Sequence, residues 1–224
     1  MTTIAVMQPY FFPYAGYFRL FTAADTVVMF DCVQFPRRGW VHRNRFADAH
    51  GNLDWLTLPL VKADRDARID ELRLPPDVRG RLETAMRRFP VLERALKGEH
   101  PLISRALDFP SDDAAGYLCG LVRDVTSMLN ISKPMIRSST LHIDPALRAG
   151  DRVLAIVKAL GGTRYVNPPG GRDLYDRGSF AHAGVELCFL PPYGAGSGSI
   201  LSRLLTEPPQ AISREIERET ALVE

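Results

Sequence analysis

The chain has 224 residues, of which 46% are hydrophobic and 24% charged, the composition of a globular rather than a disordered protein. A formal net charge of +2 is too small for a nucleic-acid binder, and no apolar run reaches the ~18 residues of a membrane span. With neither a membrane span nor a signal peptide, a cytoplasmic address is expected; Cys32, Cys119 and Cys188, odd in number and without metal-ligand spacing, are expected to be reduced thiols, with no metal.

Residues 3–7 read as a short buried strand, 16–24 as a helix and 26–31 as a second strand rich in β-branched and aromatic residues. That is a β-α-β beginning. Residues 55–60 and 68–74 alternate as half-buried strands around the polar turn Asp64-Arg65-Asp66, which predicts a hairpin. A central helical block spans about 76–130, its last helix opened by Ser111 or Asp112 as N-cap. Beyond it come a strand at 134–141, a helix at 151–160 stopped by Gly161-Gly162, a strand at 164–167, a helix at 174–183 and a strand at 185–190. A helical tail from residue 199 onward is broken at Pro208-Pro209. Strand and helix alternate at both ends, so the expected fold is a single α/β domain over 1–224, with a mostly parallel sheet flanked by helices.

The chemistry-bearing residues crowd into the first fifth. Gln8-Pro9-Tyr10-Phe11-Phe12-Pro13-Tyr14 leaves the first strand and delivers the chain to a helix, the place in an open α/β sheet where ligands bind. Gln8, Tyr10 and Tyr17 offer an amide and phenols to orient a substrate. Asp31 ends the second strand and places there a carboxylate suited to a general base or an amine binder, followed by Cys32, whose ordinary role is a small buried filler, and by Gln34. Arg37, Arg38, Trp40, His42, Arg43, Asn44 and Arg45 form a dense cationic run suited to clamping phosphate or carboxylate, and His42 has a near-neutral ordinary pKa. Gly170 and Gly171, between a strand and a helix, offer amides to an anion.

Gln8 to Tyr17, Asp31 to Phe35, Arg38-Gly39-Trp40 and Arg43-Asn44-Arg45 together resemble the WbqC-like protein family. Further matches are Trp55 to Pro59, Arg137-Ser138-Ser139, Tyr165, Gly170-Gly171, Tyr175, Phe180 and Gly184 to Leu187, so the resemblance covers nearly the whole chain. The family more often carries an acid at Cys32 and asparagine at His42. The first strand-helix junction also resembles that of nucleotidyltransferases, but no histidine precedes His42 to supply their paired-histidine signature.

The resemblance implies a biosynthetic enzyme of surface polysaccharides or natural products. It would transfer an acyl or aminoacyl group to the amine of a nucleotide sugar or natural-product intermediate, with Asp31 or His42 removing the proton. Its partners would be a small anionic substrate or donor and a carrier protein, with no cofactor. The alternatives are ATP-dependent nucleotidyl transfer or adenylate formation, and a non-catalytic subunit of a biosynthetic assembly.

Overall fold

The computed structural model describes residues 1–220. Its centre is a five-stranded sheet of β1 (Thr3–Met7), β2 (Thr26–Met29), β5 (Met135–Arg137), β6 (Arg164–Asn167) and β7 (Glu186–Phe189), in the order β5-β2-β1-β6-β7. Every neighbouring pair is parallel, with Met7 opposite Met29 and Met29 opposite Arg137. The expected mostly parallel sheet flanked by helices is the observed architecture.

Parallel strands are covered on both faces and therefore read as continuous apolar runs. In β1, Ile4 and Val6 join a cluster with Val153, Ile156 and Val157, while Ala5 joins the opposite cluster with Phe18 and Phe21. The first cluster is covered by α6 (Ala149–Ala159) and α7 (Arg177–His182), and the second by α1 (Arg19–Ala23), α8 (Ile200–Leu204) and α9 (Pro209–Arg218). The second cluster continues without a break into the helical block of α2 (Val78–Met86), α3 (Pro90–Lys97), α4 (Pro101–Ala106) and α5 (Ala114–Met128). The helical tail is interrupted at Pro208-Pro209 as expected, and the end of that expected tail, residues 221–224, lies outside the described residues.

Several boundaries differ from expectation for identifiable reasons. The hairpin pairs β3 (Arg43–Ala47) with β4 (Leu53–Thr57), not 55–60 with 68–74. Asp48 stabilises its turn by accepting the amides of His50 and Asn52, and Gly51 takes the positive φ of 81° that the reversal requires. Residues Ile69–Glu71 instead form a single 3-10 turn, closed by the Arg68 amide donating to Glu71. The cap of α5 is Asp113 rather than Ser111 or Asp112, its carboxylate accepting the Gly116 amide at 3.0 Å. Helix α7 starts at Arg177 because Asp176 caps it, and residues Pro169–Leu174 before it form a 3-10 helix. The strand expected at 134–141 stops at Arg137, because Ser138–Thr140 coil inward to bind Asp31.

Candidate functional site

The sheet order places β1 and β6 side by side although the chain winds outward from them in opposite directions, through β2 and β5 on one side and β7 on the other. The loops leaving two such strands diverge, and a crevice opens between them at their C-terminal ends. A cavity of about 450 Å³ lies there, walled by Gln8 and Tyr10 from the β1 loop, by Asn167, Gly170 and Gly171 from the β6 loop, and by Gly150 of α6. A second cavity of about 350 Å³ adjoins it through Tyr10 and Gly170 and reaches Tyr14, Tyr17, Trp40 and Asn44. A third, of about 470 Å³, shares Ala149 with the first and is lined by Cys32, Gln34, Arg68, Arg148 and Arg152.

The aromatic loop owes its shape to distant anchors. Phe12 is held at a positive φ of 48°, costly for a bulky residue, with its ring buried. Its carbonyl accepts from Asn44 Nδ2 and, at 3.0 Å, from Ser199 Oγ. The Pro13 carbonyl accepts the Ile200 amide at 2.9 Å. Tyr17 is buried and donates to the Gln8 carbonyl at 2.9 Å; its phenol is pushed well above the ordinary value by desolvation, with Cys119 and Tyr10 adding to the effect. Tyr10 is raised too, by burial first and Tyr14 second, so both phenols stay protonated as hydrogen-bond donors.

Asp31 sits beneath the Cys32 end of the crevice and is 0% exposed. Its Oδ2 accepts from Arg137 Nε at 2.6 Å and Ser139 Oγ at 2.7 Å, and its Oδ1 from the Ser139 amide at 2.8 Å. Ser138 Oγ lies 3.0 Å from both Asp31 Oδ1 and Cys32 Sγ and accepts the amides of Asp31 and Cys32. Burial alone would lower Arg137, but its bonds to Asp31 and Asp113 hold it above the ordinary arginine value. As placed here, Asp31 is a saturated carboxylate closed to substrate. It fixes the ends of β2 and β5.

The cationic run is likewise occupied with its own structure. Arg43 donates to the Gly39 and Arg38 carbonyls at 3.1 and 2.6 Å and lies 4.0 Å over the Trp55 ring. Arg45 stacks on Trp55 and Trp40, and Arg38 is exposed. These three arginines do not line the crevice cavities, whereas Trp40 and Asn44 do. His42 packs edge-on to Phe35 at 4.9 Å with a buried, unpartnered Nδ1, and desolvation together with Arg43 lowers its pKa to about 4. It too stands apart from the cavities.

The structure thus gathers Gln8, Tyr10, Tyr17, Trp40, Asn44, Gly170 and Gly171 around two adjoining cavities and puts Gln34 in the third, where its Nε2 donates to Asp66 and the Arg65 carbonyl. Sequence reasoning missed Arg148 and Arg152. Their signal was present: two arginines four residues apart at the start of a helix oppose the helix dipole, which favours anions there. Among the described residues, no cluster of metal-ligating side chains occurs, and no helix is long and apolar enough to cross a membrane.

Comparison with known proteins agrees with the motifs. The model of the WbqC-like protein family matches residues 8–195, and the chain belongs to that family. It is also similar to an uncharacterized protein of Mycobacterium tuberculosis, 35% identical over 60 residues. That match covers 27% of this chain and only 26% of the mycobacterial protein. No solved structure matches the chain.

Proposed function

We propose that this WbqC-like protein is a biosynthetic enzyme that transfers an acyl or aminoacyl group to the amine of a nucleotide-sugar or natural-product intermediate. The observation that supports this reading best is the crevice where β1 and β6 part, walled by protonated phenols, amides and backbone glycines. Such a surface orients a polar small molecule by hydrogen bonds and stacking. With an activated donor such as a thioester, the amine lone pair attacks the carbonyl, the C–N bond forms, the C–S bond breaks and the thiolate leaves. The ammonium proton passes to solvent or to the departing sulfur.

In this reading the rate comes from proximity and fixed hydrogen bonds rather than from a buried base. Gln8, Tyr10 and Tyr17 shape the substrate wall, and Asp31 acts as a positioning residue through Arg137 and Ser138. Incubating the protein with acyl thioesters and a panel of amino-sugar nucleotides, with mass spectrometry of the small molecules and a thiol-release assay, tests it. A mass gain on the amine matched by stoichiometric thiol release supports the transfer. Pyrophosphate exchange into ATP without amide formation would replace it by adenylate formation.

A further inference from the structure

We infer that the third cavity is a subsite for a phosphoryl group, held by Arg148 and Arg152 at the start of α6. The inference rests on the small-molecule reading above and specifies which end of the substrate lies at the Cys32 side of the crevice.

Arg152 carries the argument. Its side chain lines the cavity although the residue is only 9% exposed, and burying a guanidinium is costly unless an anion compensates it. Its polar partners are the Cys32 Sγ at 3.2 Å from Nε and the carbonyls of Asp144 and Leu147 at 3.2 and 3.4 Å from Nη1. Arg148, on the same wall, donates to the Pro145 and Leu147 carbonyls. Neither arginine is ion-paired to a carboxylate among the described residues.

Arg68 opposite them differs, because Asp70 and Glu71 already neutralise it. Asp66 is the wall's acid, and it is exposed and engaged by Gln34. Two uncompensated guanidinium groups therefore face one solvated carboxylate. The first turn of α6 has no side-chain cap, and its residue Ala149 borders the cavity, so the helix end adds positive potential to the same spot, offset in part by Asp151 of that turn, which is exposed and stands outside the cavity wall. A carboxylate, with one negative charge, would leave the pair half compensated. A phosphoryl group matches both the charge and the forked donors.

Cys32 supplies a local reporter, since it borders the cavity while Cys119 and Cys188 are more deeply buried. The test is calorimetric titration of the full chain with sodium pyrophosphate and, separately, with malonate. It is coupled to peptide mass spectrometry of the rate at which iodoacetamide alkylates Cys32. Pyrophosphate should bind and slow that alkylation. In Arg148→Gln its affinity should fall roughly tenfold or more, the range for losing a charge-assisted hydrogen bond. Arg152→Lys, which retains the charge and so protects folding, should also weaken it.

Pyrophosphate that leaves Cys32 alkylation unchanged, or that binds Arg148→Gln as well as the parent, overturns the subsite. Malonate binding as tightly as pyrophosphate overturns its assignment to phosphoryl groups. Neither arm uses turnover. Protection without any transfer product would therefore count against the transferase reading alone, and transfer without protection against the subsite alone.

Discussion

Arg137 Nε donates to Asp31 Oδ2 at 2.6 Å while its Nη1 donates to Asp113 Oδ2 at 2.5 Å, so one guanidinium ties the C-terminal edge of the sheet to the cap of α5. Asp31 is wholly buried in this arrangement, and removing its charge leaves a partly buried arginine short of one counter-ion. Asp31→Asn should destabilise the protein by about 3 kcal/mol, the low end for breaking a buried pair because Asp113 remains. Combined with Arg137→Met, the loss should fall short of the sum by ~1–3 kcal/mol, as expected for directly coupled residues. Urea unfolding of the two single variants and the double variant measures both quantities.

His42 makes the stability depend on pH in a definite direction. Burial and Arg43 lower its pKa from 6.5 to about 4, so between those values the unfolded chain binds a proton that the folded chain refuses. Its stabilising contribution is complete above pH 6.5 and is lost as the pH falls toward 4. In His42→Asn that part of the slope should vanish. Unfolding midpoints across this pH range, compared between the two proteins, provide the check.

Gly170 and Gly171 are adjacent but should respond oppositely to a methyl group. A Cβ on Gly171 would come within 1.7 Å of Asn167 Nδ2, whereas one on Gly170 meets nothing within 4 Å. Asn167 accepts the Tyr165 hydroxyl at 3.1 Å, so displacing it disturbs a buried polar pair. Gly171→Ala should cost roughly 1–3 kcal/mol, as overpacking does, and Gly170→Ala should stay within about 0.5 kcal/mol. Thermal unfolding separates the two.

Cys32 stands at the crevice with Arg152 and Ser138 on its sulfur. A serine there still accepts from Arg152 and meets Ser138. Cys32→Ser should therefore leave amide formation within roughly fivefold, whereas losing a covalent nucleophile costs orders of magnitude. Intact-mass measurement in the presence of donor is the companion experiment, and an acyl adduct absent from the variant would make Cys32 the nucleophile.

The parallel sheet was legible because strand and helix alternate at both ends of the chain, and the consecutive apolar residues Ile4 to Val6 and Val27 to Met29 fit strands covered on both faces. The aromatic loop was legible because prolines and rings do not belong together at an ordinary strand end. The hairpin was misread because Arg43 and Arg45, written as charges, are laid flat on Trp55, a stacking that hides a strand inside a cationic run. The burial of Asp31 depended on Arg137 to Ser139, more than 100 residues away, and spacing along the chain says nothing about such a contact. Arg148 and Arg152 escaped notice because a helix boundary had to be fixed before their position at its first turn could mean anything.

The anchoring of Phe12 by Ser199, 187 residues later, bears on the order in which the molecule is built. Chains emerge from the ribosome N-terminus first, so the motif that begins the sequence is made early. Its Phe12 and Pro13 carbonyls must nevertheless wait for Ser199 and Ile200 before these bonds can close over the strained loop. The aromatic wall of the crevice is thus written first and finished near the end. A nascent chain stalled before residue 199 would carry every residue of the opening motif, and Asn44 with it, but not the Ser199 and Ile200 contacts that complete the anchoring of Phe12 and Pro13.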